Sequence, residues 1–229
     1  MFNYNIAWLL SIIVIVDKAF FRKKYNQIKR WFRKKNSIPI MLGILLILSL
    51  MIYAIYMTQR RLTVNQETYR PLMDLIAKAE SRDNYNAYFG NAHNSSIIFT
   101  DMTVAEVLDW QKQYVAQGAA SSAVGRYQII NTTLAGLIEE HKIDTNRKFD
   151  ESLQDELAIN LLNRRGGEKY VNQELTQKEF ASQLAMEWAG LPRVIGDNPE
   201  ASYYDGDGLN KSLVKVADVL QAVEVVSAD

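Results

Sequence analysis

The chain has 229 residues, no cysteine and a formal net charge of zero. That length allows one domain of ordinary size with additions, and the lack of cysteine rules out disulfides and thiolate chemistry. The zero conceals an asymmetry: residues 1–61 carry 11 Lys/Arg and one acid, while the rest is net −10. So acidic a domain does not suit sequence-independent nucleic-acid binding, which needs cationic surface.

Met1–Val16 is uncharged and mostly apolar, and Asp17-Lys18 follow at once. Sixteen residues fall just short of a comfortable span, so two readings stay open: a short first membrane crossing, or a segment lying in the interface. Nine Lys/Arg come between Lys18 and Lys35. Ile38–Met57 then gives 20 residues without a charge, roughly 30 Å as a helix, which is the thickness of a bilayer core. No small-x-small cleavage site follows it, which argues against a removed signal peptide. Only Arg60 and Arg61 flank its far side, so the positive-inside bias puts the basic stretch in the cytoplasm and the remainder outside. The expected organisation is 1–37 as apolar segment plus basic stretch, 38–57 as transmembrane helix, 58–68 as stalk, and 69–229 as the functional domain.

Beyond the stalk the periodicity is helical almost throughout, apart from a strand-like Ile97-Ile98-Phe99. Pro71 suits a helix start; Leu72, Leu75, Ile76 and Ala79 follow at helical spacing and predict an end near Glu80. Thr103-Val104-Ala105-Glu106 predicts a capping box, with Gly118 terminating the helix it opens. Ser152 is a candidate cap for a helix presenting Leu153, Leu157 and Leu161, with Gly166 past its end. Thr176-Gln177-Lys178-Glu179 predicts a second capping box, with Phe180, Leu184 and Trp188 buried before Gly190 and Pro192. An amphipathic helix from about Leu209 to Val226 closes the chain. The fold class is mainly α, with loop-rich stretches at 81–102 and 118–128.

Glu80 is the first candidate for chemistry. The unpaired carbonyls of a helix C-terminus, together with partial burial, disfavour its ionised form and suit it to general-acid work near neutrality. Ser81 follows it. Forty-five residues later comes Gly125-Arg126-Tyr127-Gln128. Its glycine allows close backbone approach, its tyrosine offers a face for a sugar ring, and its glutamine offers donor and acceptor together. Tyr203 and Tyr204, in a polar loop, are further candidate sugar contacts. Asp83 and Asp101 are the candidates for a second carboxylate. Asp205-Gly206-Asp207-Gly208 has the wrong spacing for a calcium loop and reads as a polar turn, and His93 and His141 lack metal-ligand spacing. No cofactor or metal is expected.

These residues resemble the lysozyme-like lytic transglycosylases, most closely the lambda phage endolysin type. In that type a catalytic Glu followed by a small residue ends the first long helix, as Glu80-Ser81 would. Phe99-Thr100-Asp101, the Gly125–Gln128 run, Phe149–Asp155 and Trp188-Ala189-Gly190-Leu191-Pro192 then match in order across most of residues 72–192. The loop after Glu80 and the tail at 202–208 depart from the pattern. The resemblance implies an α-rich lysozyme-like domain acting on peptidoglycan glycan strands. It also implies that Glu80 protonates the oxygen between MurNAc and GlcNAc and then deprotonates the muramyl C6 hydroxyl, closing a 1,6-anhydro ring. Without the internal nucleophile, a muramidase would need a second carboxylate. A membrane-anchored binding or assembly protein that had lost turnover is the rival of another class. The expected location is the inner membrane, in one or two passes, with the domain on the periplasmic face. Expected partners are peptidoglycan and the lipid bilayer, with an envelope-spanning machine or a virion as the two settings that fit.

Overall fold

The computed structural model describes residues 22, 24–27, 29 and 37–226. Met1–Val16 lies outside the described residues, as does most of the basic stretch. The chain divides into two compact units, residues 1–60 and 61–229.

In the first unit, residues 22, 24–27 and 29 are helical. Helix α1, Ser37–Ser81, also starts there. Its side chains are described from Leu42 to Tyr56, and the consecutive run Ile44, Leu45, Leu46, Ile47 and Leu48 is half-exposed or more on every face. The Ser49 hydroxyl donates to the Leu46 carbonyl at 2.8 Å, so even this polar group is satisfied within the helix. No helix among the described residues is long and apolar enough to cross a membrane. The fifteen residues from Leu42 to Tyr56 rise only about 22 Å. The uncharged run of the sequence, Ile38–Met57, extends past both ends of them.

In the second unit, α1 continues to Ser81 and carries Pro71 in its interior. Pro71 is therefore not a helix start, and residues 58–68, the expected stalk, are helical. The elements that follow are a 3-10 turn at Phe99–Asp101, α2 Val104–Ala116, α3 Asn131–His141, α4 Glu151–Arg164, α5 Gly167–Val171, α6 Gln177–Ala185 and α7 Val216–Val226. Both capping boxes are present. The Thr103 hydroxyl accepts the Glu106 N–H while the Glu106 carboxylate accepts the Thr103 N–H, and Thr176 and Glu179 do the same. Gly118 lies just past α2 with φ +100°.

Several expectations need correction. Asp150, not Ser152, caps α4, its carboxylate accepting the Leu153 N–H at 2.9 Å. The strand-like 97–99 stretch ends in the 3-10 turn, and pairing among the described residues is limited to isolated bridges. The last helix starts at Val216, because Asp207 accepts the N–H groups of Leu209 and Asn210 and gives those residues a turn instead of a helix. Helix α3 escapes the periodicity because Asn131, Thr132, Thr133 and Gly136 are weak helix formers.

One core unites the second unit. Leu72 and Ile76 of α1, Val107 of α2, Leu134 and Leu137 of α3, Leu153, Leu157 and Leu161 of α4, Phe180 and Leu184 of α6, and Val219 and Val223 of α7 are all buried. Each such side chain contributes about 1.5–3 kcal/mol by leaving water. Helix α6 packs on α7, and α2 packs on α3.

Candidate active site

Helix α1 stops after Ser81 because Arg82 and Asp83 both take the left-handed region, with φ 57° and 66°. Two consecutive non-glycine residues there cost of order 1–3 kcal/mol each, a strain typical of functional loops. The Asp83 N–H reaches back to the Ala77 carbonyl, closing the helix end. The loop beyond is held by its own asparagines. Asn84 donates to the Ala92 and Asn94 carbonyls, and buried Asn94 donates to those of Asn86 and Ile97.

Glu80 projects from this last turn. Its Oε1 accepts the Gly190 N–H at 2.8 Å. The residue is half-buried as a whole, but its carboxyl end is buried and lies against Gly190. Burial pushes the carboxyl up from 4.5 to about 7, against a smaller downward pull from the Gly190 hydrogen bond. Burial, and not the helix terminus, is the dominant cause. A side chain at position 190 would put its Cβ 2.8 Å from Glu80 Oε1, so only glycine permits this approach. Gly190→Ala is therefore expected to separate the turn from the carboxyl, which removes its hydrogen bond and also lets water reach it. Because burial outweighs that hydrogen bond, the alkaline limb of a pH–rate profile should move below 7, with roughly 10-fold lower activity. An unchanged profile would sink this reading of Gly190.

Gly125–Gln128 forms the tip of a hairpin closed by Val124 and Ile129, which exchange both backbone hydrogen bonds. The Ser81 hydroxyl lies 2.7 Å from the Arg126 carbonyl and 3.1 Å from the Ala77 carbonyl, tying the hairpin to the helix that carries Glu80. Ser81 is fully buried, so it acts as a tie rather than a ligand contact.

Arg126 is 8 % exposed, and its guanidinium donates to Asp74 at 2.7 Å, Asp83 at 3.0 Å and the Tyr127 hydroxyl at 2.7 Å. The Tyr127 and Tyr85 hydroxyls both donate to Asp155 Oδ1, at 2.7 and 2.9 Å. Burial works against the Arg126 charge, but the hydrogen bonds to Asp74 and Asp83 prevail and raise its pKa. Burial and then Asp155 push the Tyr127 hydroxyl up. Tyr127 is 1 % exposed, so it presents no face to a sugar; with Arg126 it forms a buried brace. Gln154 completes the brace. Its side-chain carbonyl accepts the Arg126 N–H, and its amide donates to the Tyr85 and Phe149 carbonyls.

Gln128 is brought together with Tyr204. Both line a hollow of about 200 Å³ whose walls include Thr133, Arg165, Glu187 and Trp188. The Trp188 indole N–H donates to the Tyr127 carbonyl at 3.2 Å, so one turn, Trp188–Gly190, joins this hollow to the Glu80 carboxyl. Tyr203 stands edge-on to Tyr204 at 5.3 Å and is half-exposed. A larger hollow of about 1150 Å³ between α1 and α7 is walled by Asp74, Lys78 and Asp218, among others, but not by Glu80. Its size does not connect it to the carboxyl chemistry. Of the candidate second carboxylates, Asp83 is bound by Arg126, and exposed Asp101 lies 3.8 Å from Lys148.

Gly190, Gln154, Asp155, Arg165 and Glu187 did not stand out in the sequence as part of a site. Gln154 and Asp155 do leave a signal, as polar residues on the buried side of α4 beside Leu153, Leu157 and Ala158.

A family model described as Endolysin matches residues 70–207, more than half of the chain. No curated protein and no solved structure matches it.

Proposed function

The chain belongs to the endolysin family and is in kind a peptidoglycan-degrading enzyme, and from that premise we propose a membrane-anchored lytic transglycosylase. It cleaves between MurNAc and GlcNAc and leaves a 1,6-anhydro-MurNAc end. The observation that carries the reading is the Glu80 carboxyl, held on the Gly190 N–H and pushed up to about 7 by burial; Asp83 pairs with Arg126, and exposed Asp101 lies beside Lys148.

Protonated Glu80 gives its proton to the bridging oxygen as the C1–O4 bond breaks, and the GlcNAc chain leaves as an alcohol. The Glu80 carboxylate then takes the proton of the muramyl C6 hydroxyl as O6 bonds to C1. The acid is regenerated with no water consumed, and one carboxyl suffices. Gln128 and Tyr204, which line the small hollow, hold the sugars, with Tyr203 packed against Tyr204.

The anchor is the uncharged run Ile38–Met57, supported by apolar side chains exposed all round from Leu42 to Tyr56 and by the cationic stretch before it. It holds the net-acidic domain on the periplasmic face, either as a membrane-held endolysin or as part of a wall-crossing assembly.

Mass spectrometry of fragments released from purified peptidoglycan tests the chemistry. Ends in 1,6-anhydromuramic acid are expected; reducing ends would make the enzyme a muramidase. Recovery of the full chain in the soluble fraction after flotation with liposomes would overturn the anchor.

A further inference from the structure

The small hollow contains an ion pair that the cleavage chemistry does not use. Arg165 caps α4 at its C-terminus, and Gly166, with φ +100°, turns the chain directly after it. Arg165 Nε donates to Glu187 Oε2 at 2.8 Å, and Nη2 donates to the Met186 carbonyl at 3.3 Å. Tyr204, from a distant loop, donates its hydroxyl to that same carbonyl at 2.7 Å. The Arg165 side chain is 29 % exposed and that of Glu187 only 10 %. Nη1 has no hydrogen-bond partner among the described residues.

An exposed ion pair contributes little to stability, and one as enclosed as Glu187 costs desolvation. What the pair does achieve is orientation. Glu187 takes the Nε proton and the Met186 carbonyl one of the two Nη2 protons, which leaves Nη1 and the second Nη2 proton as the edge open to a ligand. That edge is a planar fork matched to a carboxylate, which it can grip through two parallel hydrogen bonds. On the strands of the proposed substrate, carboxylates occur only on the lactyl–peptide arm of the muramyl sugar. Neutral N-acetylglucosamine polymers have none.

We propose that Arg165, oriented by Glu187, binds a carboxylate of the muramyl lactyl–peptide arm in the hollow beside Gln128 and Tyr204. The site thereby selects acidic peptidoglycan strands over neutral glycans. This rests on the reading that the chain acts on peptidoglycan. The carboxylate has two sources with the same chemistry: the stem peptide, or the lactyl group freed when the stem has been removed.

The test measures binding by calorimetry to the full-length Glu80→Gln chain in detergent micelles, so that turnover does not intervene. Three probes are used: soluble strands bearing stem peptides, strands freed of peptide by an amidase, and peptide-bearing strands whose carboxylates are converted to amides. Conversion to amides should weaken binding about 10-fold or more, the value of a charge-assisted hydrogen-bonded pair. Adding Arg165→Gln with Glu187→Gln, which leaves no charge buried, should abolish that preference and equalise the three probes. Arg165→Lys keeps the ion pair but loses the fork, and is expected to lose most of the preference; it serves if the double change does not fold. Tight binding to peptide-bearing strands alone assigns the stem carboxylate, and tight binding to amidase-treated strands assigns the lactyl carboxylate. Equal affinity for charged and amidated strands would overturn the proposal, as would a preference that survives both sets of variants. Failure of the wild type to release wall fragments would instead overturn the enzymatic reading, whatever the binding preference.

Discussion

Glu80→Gln is expected to lower turnover on peptidoglycan by roughly three orders of magnitude, within the range general acids contribute, while the domain stays folded. The glutamine carbonyl can still accept the Gly190 N–H, so the turn over the site should keep its place. What disappears is the proton. The same substitution should stabilise the protein at alkaline pH. A glutamate raised from 4.5 to about 7 by burial binds its proton more tightly folded than unfolded. Its contribution to stability is therefore full below about 4.5, falls as pH rises to about 7, and is level beyond. Above pH 7 the wild type carries a penalty of about 1–3 kcal/mol that glutamine lacks. Thermal unfolding of both proteins at pH 5 and pH 8 reads this directly, as a gap that opens only at the higher pH. The wild-type rate should likewise fall with rising pH around 7 and show no acidic limb from a second carboxylate. An acidic limb near 4 would favour a hydrolase. A Glu80→Gln chain retaining a tenth of the activity would remove Glu80 from the mechanism.

The features legible in the sequence were those with local causes. The capping boxes at Thr103 and Thr176 are four-residue patterns, and both helices begin where the patterns predict. The end of α1 near Glu80 follows from its apolar spacing. Non-local features stayed hidden. That Glu80 is walled in by Gly190, 110 residues away, depends on packing, and glycine in a Trp-Ala-Gly-Leu-Pro run reads only as a helix stop. Tyr127 illustrates the converse. An aromatic residue beside glycine and glutamine suits a sugar face, yet its hydroxyl is drawn inward by Asp155 on α4 and its ring is buried. Gln128, one residue on, was open to the same ambiguity and lies at the hollow. Adjacent residues of one hairpin tip thus divide between brace and site, a division set by partners on other elements.

The brace makes the second large effect, Gly125→Ala, a test of why the motif begins with glycine. Gly125 has φ +80°, a conformation that costs an alanine about 1–2 kcal/mol. Its N–H donates to the Ala87 carbonyl at 2.8 Å, which holds the backbone in place and blocks an easy escape. An added Cβ would collide with the Gln154 side-chain oxygen and stand 3.2 Å from the Phe149 ring. That oxygen cannot retreat without releasing the Arg126 N–H, and the Gln154 amide is itself bonded to two carbonyls. Conformational cost, overpacking and disrupted hydrogen bonds together reach about 3–5 kcal/mol, a large share of a typical domain's stability. A denaturant titration should show this loss, with the Trp188–Gly190 turn and the activity disturbed alongside. Gln154→Ala should also destabilise by unpairing the Arg126 N–H, but the two changes should not add, because the smaller side chain removes the collision. A double-mutant cycle should give a compensating coupling of about 1–3 kcal/mol. Strict additivity, or a Gly125→Ala cost below 1 kcal/mol, would show that the glycine serves something other than the close approach to Gln154.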